Sequence, residues 1–570
     1  MLSGLLRQLF QRPRSAHAPV AAERHLEQGR ACLDTGRTAE AKLHLRAALE
    51  LEPESQDVLE RLGLALGLAG ELDLAKQAAT RALELDPRSV AARLCLGNVY
   101  AREERYDDAI REYRDGLAIE PDNGFVHYNL GIALLNRGDT REALAQYRRT
   151  VEIFPDRPEE YGSILFLLNA CAGVSNEEIA AEHRRWGERF ADPLARSTPH
   201  RNSADPDRRL QIGYVSGDFF GHAASSFIEP VLAHHDRERF EVVCFVNAAE
   251  SSQEVVKHAG RWYRIAELPD EDAARFIEEQ GIDILVDLSG HTRRNRLPAF
   301  ARKPAPVQMS MLGYPNTTGM AAMDYRITDV HGDPPGRTEH LYRERLLRLP
   351  RSLWCYAPFE SMPPVSAPPS ASRGCVTLAS LNAAYKLNEG TLDAWIDILR
   401  AAPDARMLLA TIPRGDAQSR LRAHFAARGI DAGRIDVVDR MNVVDYWRLL
   451  EGVDLALDSF PCNGGSTTCE SLWMGVPTLT LAGAAFRERA GLSLLTNVGL
   501  PEFITYSVDE YVAAATELAR DPGRLAAVRI GLRERMRASP LTDAAGHTRE
   551  LEALYRSAWK TWCEERGEIR

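Results

Sequence analysis

The pattern of hydrophobic positions changes near Asp205. Before this residue, apolar positions recur with helical periodicity, whereas after it they gather in short runs separated by helical stretches. The first group of runs predicts buried strands at Leu210–Val215, Phe240–Val246, Ile282–Leu288 and Val307–Leu312. Strands that alternate with helices indicate a parallel, doubly wound sheet.

A second group of strands follows the proline-rich stretch Pro358 to Pro369, which marks a linker. Helices such as Thr391–Leu399 separate these strands. Two Rossmann-like halves in one chain place a cleft between them, and ligands of such sheets bind outside the carboxyl ends of the strands. The second group is predicted at Val376–Ala379, Met407–Ala410, Ile435–Val438, Leu455–Leu457 and Thr478–Leu481.

The helical region before Asp205 repeats every 34 residues. Small residues in each unit are expected where the two helices of a hairpin cross closely, and the glycines Gly36, Gly70 and Gly138 fall at the turn, where a left-handed residue is needed. A proline ends each unit, because proline cannot continue a helix. The recurring positions are Pro53, Pro87, Pro121 and Pro155, then Gly29, Gly63, Gly97 and Gly131, then Ala41, Ala75, Ala109 and Ala143.

This array resembles tetratricopeptide repeats over residues 22–155, followed by a helical connector, residues 156–204. Since one hairpin cannot bury its apolar face alone, the units are expected to stack into an all-α superhelix with a concave groove for a protein partner. The alternative is a packing module, such as one that forms a homodimer. Asn129 lies where an asparagine would hold a peptide backbone, but the equivalent positions are Glu27, Arg61 and Cys95. We therefore expect partner selection by side-chain contacts.

Composition narrows the class of protein. The formal net charge is −11, which argues against nonspecific nucleic-acid binding. The nine cysteines include no CxxC pair, so neither a zinc knuckle nor a disulfide framework is indicated. No apolar run reaches the ~20 residues of a membrane span. Residues 1–21 are predicted to be a disordered leader or a short helix, and the protein is predicted to be cytoplasmic.

The most informative segment runs from Leu455 to Pro477, LALDSFPCNGGSTTCESLWMGVP. A strand ends near Asp458, two glycines follow, and three hydroxyl residues open a short helix. Glycines let the backbone approach a ligand closely, and the first amides of a helix carry positive partial charge. The segment therefore predicts a diphosphate site, although it lacks a Walker GK[ST] sequence. The alternative is an ordinary Ser/Thr helix cap.

Four blocks together resemble the protein O-GlcNAc transferase family, which includes the SPINDLY-type enzymes. They are Asp458–Gly475, Gly213–His222, Arg302–Gly319 and Leu381–Leu392, and the resemblance covers residues 205–560. It implies an α/β GT-B fold with an acceptor-side half, residues 205–370, and a nucleotide-sugar half, residues 371–570, closed by C-terminal helices. It also implies metal-independent, inverting sugar transfer from a nucleotide sugar to Ser or Thr of proteins.

The resemblance also assigns catalytic candidates. Lys386 matches a lysine that contacts the donor diphosphate, where an ammonium stabilises the charge on the departing nucleotide. His222 matches a histidine near the acceptor, which would either orient or deprotonate the acceptor hydroxyl. Asp218 is the alternative carboxylate base, unless it caps a helix.

The remaining matches concern binding. Glu470 stands where animal enzymes have an aspartate that contacts ribose, and Tyr446 stands near the expected uridine. The matches to the diphosphate loop are Gly464, Gly465, Ser466, Thr467 and Thr468, and those to the loop that lines the cleft are Tyr314, Pro315 and Thr317.

Three departures from the family leave the donor open. Gly465 replaces a histidine, Ala383 replaces a glutamine that contacts the donor, and Tyr446 replaces a histidine. UDP-GlcNAc is the leading donor, with GDP-fucose and UDP-glucose as alternatives. A tetratricopeptide scaffold with an inactive transferase region is the alternative from another functional class.

No metal is predicted. The DxD spacing that holds a divalent ion in many sugar transferases occurs at Asp205 with Asp207 and at Asp270 with Asp272. The first pair lies in the segment before the opening strand. The second has the character of a helix start.

Overall fold

The computed structural model describes residues 20–34, 37–52, 54–196, 199–219, 225–248 and 252–568. Most of the predicted leader, together with Gly36, Pro53 and His222, lies outside these ranges. Of the described chain, residues up to 164 with 413–419 form one compact unit, and residues 165–412 with those from 420 onward form another.

The first unit is a series of helical hairpins, in which each odd-numbered helix packs against the next helix. The small residues predicted at the crossings are sterically required: a Cβ on Gly97 would lie 2.3 Å from the ring of Tyr113. The helices are α1 Val20–Asp34, α2 Thr38–Leu51, α3 Gln56–Ala69, α4 Leu72–Leu85, α5 Val90–Arg102, α6 Tyr106–Ile119, α7 Gly124–Arg137 and α8 Thr140–Ile153.

The turns inside the hairpins have left-handed backbone, as predicted for their glycines. Gly70 has φ +81° and Gly138 has φ +95°. In the unit between them the equivalent position is Glu104, with φ +59°. The left-handed turn is therefore retained in that unit without a glycine.

Two further helices, α9 Pro158–Leu168 and α10 Asn176–Trp186, follow the repeats. The turn between them, residues 168–176, is called the connector turn below. Helix α10 starts with a capping box, in which Ser175 and Glu178 satisfy each other's backbone amides.

The N-terminal half of the second unit contains a seven-stranded parallel sheet in the order β3-β2-β1-β4-β5-β6-β7. Four helices accompany it: α11 Ser225–His234, α12 Gln253–His258, α13 Asp270–Glu279 and α14 Leu297–Ala301. The strands are β1 Leu210–Ser216, β2 Phe240–Val246, β3 Arg261–Arg264, β4 Ile284–Asp287, β5 Val307–Ser310, β6 Tyr325–Asp329 and β7 Arg345–Leu349.

The C-terminal half contains a six-stranded parallel sheet in the order β10-β9-β8-β11-β12-β13. Its strands are β8 Thr377–Ser380, β9 Arg406–Leu409, β10 Ile435–Val437, β11 Leu455–Leu457, β12 Thr478–Leu481 and β13 Ile504–Thr505. The helices are α15 Pro369–Arg373, α16 Glu389–Ala401, α17 Asp416–Ala427, α18 Val443–Leu450, α19 Ser466–Trp473, α20 Ala490–Val498, α21 Val508–Arg520, α22 Pro522–Arg537 and α23 Ala544–Glu568. The two sheets confirm a GT-B-like pair of Rossmann halves after an all-α repeat region.

The last helix returns to the first sheet. Tyr555 and Trp559 of α23 belong to the same buried cluster as Ile212 and Tyr214 of β1. The hydroxyls of Tyr214 and Tyr555 lie 3.0 Å apart. The C-terminal helix therefore ties the two halves of this unit together. In the described ranges, no helix combines the length and the apolar character needed to cross a membrane.

Candidate functional site

A buried carboxyl group holds the loop after β11. Asp458 is 2% exposed. Its Oδ1 accepts hydrogen bonds from the amide of Gly464 at 2.8 Å and from Asn382 Nδ2 at 3.1 Å, and its Oδ2 accepts from Thr480 Oγ1 at 2.9 Å. Burial raises the pKa of Asp458 to about 6. These contacts fix the turn between β11 and α19.

The start of α19 is left open to an anion. Gly465 is the N-cap residue, and no side chain caps the helix. The first intrahelical bond runs from the amide of Cys469 to the carbonyl of Gly465, 3.1 Å. The amides of Ser466 and Thr467 precede it and point out of the helix end, with positive partial charge. An ordinary Ser/Thr cap does not describe this helix, because its hydroxyl residues lie inside the first turn.

Lys386 lies beside this helix end. Its Nζ donates a hydrogen bond to the carbonyl of Asn463 at 2.7 Å. Burial alone would lower the pKa of Lys386, but the neighbouring Cys462, Tyr385 and Asp458 outweigh it and raise the pKa above its ordinary value. The ammonium therefore remains charged at neutral pH.

A cavity of about 240 Å³ lies against these groups. Lys386, Gly465 and Ser466 line it from the C-terminal half, Pro315 from the N-terminal half, and Asn169 from the connector turn. The structure thus brings the predicted lysine, the start of the hydroxyl loop and part of the cleft loop to one cavity.

Trp354 fills the space beside Gly465. A Cβ at Gly465 would lie 2.9 Å from Cη2 of this indole. Trp354 stacks on Phe486, with ring centroids 6.4 Å apart, and packs edge-on against Phe227 at 5.2 Å. The position where the family would have a histidine therefore has no room for any side chain while Trp354 keeps this place. Sequence reasoning missed Trp354, since nothing local to it signals a cleft.

The other two residues of the cleft loop are turned into the protein. Tyr314 is buried, and its hydroxyl lies 2.6 Å from Nε2 of His183 and accepts a hydrogen bond from Asn169 Nδ2 at 2.9 Å. Burial lowers the pKa of His183 to about 4, so this imidazole is neutral at neutral pH. Thr317 donates its hydroxyl hydrogen to Glu344. Of this loop, Pro315 is the predicted residue that lines the cavity, while Tyr314 and Thr317 hold the loop.

Glu470 and Tyr446 form a second polar group near α19. Burial raises the pKa of Glu470 to about 7. Burial, followed by the charge of Glu470, raises the pKa of Tyr446 well above its ordinary value. The hydroxyl of Tyr446 is buried and has no hydrogen-bond partner among the described residues. A buried polar atom without a partner is rare and fits a ligand group in that place. Neither residue lines the cavity around Lys386.

The structure says less about the two candidate bases, His222 and Asp218, than about Lys386. His222 lies outside the described residues. Asp218 is half-buried, two residues beyond the end of β1, and its amide donates to Ser216 Oγ at 2.9 Å.

Asp270 begins α13, as its sequence context predicts, and accepts a hydrogen bond from Arg296 at 2.8 Å. Within the described ranges, no group of three or more His, Cys, Asp or Glu residues could hold a metal ion.

Comparison with sequence families gives two matches. A model described as glycosyl transferase family 41 matches residues 191–360 and 371–551. A tetratricopeptide-repeat model matches residues 26–90, 61–124 and 96–158. Together the two models cover the repeats and most of both Rossmann-like halves.

Individual relatives agree with these matches. A protein of Solanum lycopersicum named probable UDP-N-acetylglucosamine–peptide N-acetylglucosaminyltransferase SPINDLY is 37% identical over 425 residues, which is 73% of this chain and 45% of the relative. The UDP-N-acetylglucosamine–peptide N-acetylglucosaminyltransferase of Caenorhabditis elegans is 24% identical over 524 residues, 70% of this chain and 45% of that relative. The chain thus spans about half the length of these relatives.

Among solved structures, a mutant of the O-GlcNAc transferase of Thermobaculum terrenum superposes with a TM-score of 0.84 at 34% identity. The match covers 90% of this chain and 98% of that one. The similarity therefore extends over the repeats and both halves.

Proposed function

This chain belongs to glycosyl transferase family 41, and from that premise we propose that it moves N-acetylglucosamine from UDP-GlcNAc to Ser or Thr hydroxyls of protein acceptors. The single observation that carries the proposal is the pairing of the Lys386 ammonium with the uncapped start of α19 on one cavity. The names of the similar proteins in tomato and in Caenorhabditis elegans support UDP-GlcNAc as the donor.

The proposed chemistry needs positive charge at the leaving group. Breaking the bond between the sugar and the diphosphate leaves negative charge on the nucleotide, and the amides at the start of α19 with the Lys386 ammonium stabilise it. These groups take the part that a divalent ion takes in other transferases. We therefore include metal independence in the proposal.

The residues around the cavity support inversion as a further part of the proposal. A retaining, two-step transfer needs a carboxylate nucleophile at the sugar, by analogy with glycosidases. Among the described residues that line the cavity there is no Asp or Glu. A single displacement by the acceptor hydroxyl, with His222 or Asp218 as the base, inverts the anomeric centre.

The donor is tested with a panel of nucleotide sugars. Thermal unfolding is followed with UDP-GlcNAc, UDP-glucose and GDP-fucose, since a ligand of the folded state raises the unfolding temperature. Release of the nucleotide diphosphate is then measured with a protein extract as acceptor. The proposal expects stabilisation and turnover to be largest with UDP-GlcNAc. A larger response to another nucleotide sugar would show that the proposed donor is wrong. No response to any of the three would refute the proposal.

The repeats are proposed to deliver the protein acceptor. Asn129 lies on α7, and its Nδ2 donates to the carbonyl of Phe125 in the same helix at 2.8 Å. Its amide group is thus partly engaged within the helix. This supports recognition by side chains of the groove rather than a row of asparagines that grips the peptide backbone.

A further inference from the structure

Arg487 is a buried cation on the wall of the cavity, and the proposed reaction assigns it no role. It lies in the single-turn 3-10 helix Phe486–Glu488, after β12, and is 4% exposed. A buried charge is costly unless hydrogen bonds and an opposite charge satisfy it. The Nη2 of Arg487 lies 3.0 Å from Glu488 Oε1, which supplies the opposite charge.

The guanidinium of Arg487 also donates hydrogen bonds to the connector turn. Nη1 donates to the carbonyl of Asn169 at 2.9 Å, and Nε donates to Asn176 Oδ1 at 3.0 Å. Longer contacts reach the carbonyls of Leu168 and Val174, both at 3.4 Å. One arginine therefore satisfies several backbone carbonyls at the junction of α9 and α10, which a short or neutral side chain cannot do.

The backbone of the same residue reaches the diphosphate loop. The carbonyl of Arg487 accepts a hydrogen bond from the amide of Asn463 at 3.0 Å. The carbonyl of Asn463 in turn accepts from Lys386 Nζ at 2.7 Å. A continuous path of hydrogen bonds thus runs from the connector turn through Arg487 and Asn463 to the ammonium in the cavity.

The connector turn is also attached to the opposite half. Asn169 donates to the hydroxyl of Tyr314 at 2.9 Å, and its Oδ1 accepts from Asn316 Nδ2 at 3.0 Å. Asn169 thus contacts the cleft loop with its side chain and Arg487 with its carbonyl. The connector turn is therefore held from both halves of the cleft.

We propose that Arg487 is a positioning residue that couples the connector turn to the diphosphate loop and thereby sets the affinity for the nucleotide diphosphate. The inference rests on the proposed function only in taking a nucleotide diphosphate as the ligand of that loop. Asn176 does not line the cavity but Arg487 does, so the 3.0 Å bond between them is the shortest contact by which Asn176 can affect nucleotide affinity; a longer contact of 3.4 Å joins Asn176 to Glu488.

The experiment is a double-mutant cycle on nucleotide affinity in the full chain. UDP and GDP are titrated calorimetrically into the wild type, and whichever binds is the probe for Asn176→Ala, Arg487→Met and the double variant. We expect the probe Kd to rise about threefold in Asn176→Ala and about tenfold in Arg487→Met, with no further rise in the double variant, because contacting residues are not additive.

A matched control separates coupling from loss of stability. Ser175→Ala removes the side chain that caps α10, the helix that begins at Asn176, without removing a contact of the Arg487 guanidinium. The coupling account expects it to lower the unfolding temperature and to leave the probe Kd unchanged. Arg487→Lys keeps the charge but not the fork of donors, and is expected to give an intermediate Kd; it serves if Arg487→Met does not fold.

Two results would overturn the inference. One is an equal rise in Kd from Asn176→Ala with and without Arg487. The other is a rise in Ser175→Ala as large as that in Asn176→Ala. If the wild type binds neither UDP nor GDP, the proposed function itself fails, which is a different outcome.

Discussion

Gly465 is a residue of the cavity wall that has no space for a side chain. An added methyl group would approach Cη2 of Trp354 to 2.9 Å, so Gly465→Ala forces the indole or the loop to move. We expect a loss of about 1–3 kcal/mol in unfolding free energy, as for overpacked sites, together with weaker nucleotide binding. Denaturant unfolding and calorimetry measure the two effects.

The control for this substitution is Gly531→Ala in α22. No neighbouring group of the described chain lies within 4 Å of the added methyl group there, and alanine is the better helix former, so stability should rise by about 0.5–1 kcal/mol. In Gly465→Ala with Trp354→Leu, the smaller side chain should restore part of the lost nucleotide affinity. An unchanged affinity in Gly465→Ala alone would show that the contact is unimportant.

Glu470 gives a pH dependence of known sign. Burial raises its pKa to about 7, whereas an unfolded glutamate titrates near 4.3. The folded protein therefore holds the proton of Glu470 more tightly than the unfolded chain does. As far as this group is concerned, the unfolding free energy is highest below about pH 4 and decreases as pH rises through about 7. Without nucleotide, Glu470→Gln should exceed the wild type in unfolding free energy at pH 8 by about 3–4 kcal/mol, and by much less at pH 5. Equal pH profiles would contradict the burial of this carboxyl group.

Single residues of the site differ in how far the sequence could predict them. Lys386 and Ser466 could be found because their neighbours in sequence carry the signal. Trp354 and Arg487 could not, because the contacts that define their places come from distant parts of the chain. Thr317 illustrates the reverse: its motif suggested the cleft, yet its hydroxyl is directed to Glu344.

At the scale of elements, α19 is the helix that we propose to bind the diphosphate. Ser466→Asp places a carboxylate in its first turn, which should stabilise the folded protein without ligand by about 0.3–1 kcal/mol. The same charge should repel a diphosphate and weaken nucleotide binding by at least tenfold. Thermal unfolding and nucleotide titration therefore change in opposite directions. Ser466→Ala is the matched control without the charge, and a tight-binding Ser466→Asp would refute an anion site at this helix end.

The pattern missed four strands of the described chain, and three of them, β3, β6 and β13, have identifiable physical reasons. Each predicted strand is present, with ends shifted by at most a few residues. β3 was missed because its residues alternate between half-buried and exposed and include Arg261 and Arg264 at its ends. β6 was missed because it buries Arg326 and Asp329, whose charges are satisfied in part by groups distant in the sequence, the carbonyl of Tyr314 and the amide of Leu353. β13 has two residues, too few to form a pattern.

At the scale of the whole molecule, the repeats and the transferase halves should be separable in function. Asn129→Ala on α7 is expected to lower transfer of labelled N-acetylglucosamine to proteins of an extract, while UDP affinity stays the same. Thr150→Val on α8 is the control, because Thr150 makes the same kind of bond to the carbonyl four residues earlier but lies on the second helix of the hairpin. Unchanged labelling in Asn129→Ala would remove this residue from acceptor recognition.

We propose above that the Lys386 ammonium stabilises the departing nucleotide diphosphate. The most direct test is to measure UDP release from UDP-GlcNAc by the wild type and by Lys386→Ala. Lys303→Ala is the control, because Lys303 is a partly buried lysine bound to Asp324 in the N-terminal half. We expect kcat to fall by at least 100-fold in Lys386→Ala, as for the removal of one charge-stabilising donor. Lys303→Ala should lower stability but keep kcat. Turnover by Lys386→Ala at the wild-type rate would contradict the account.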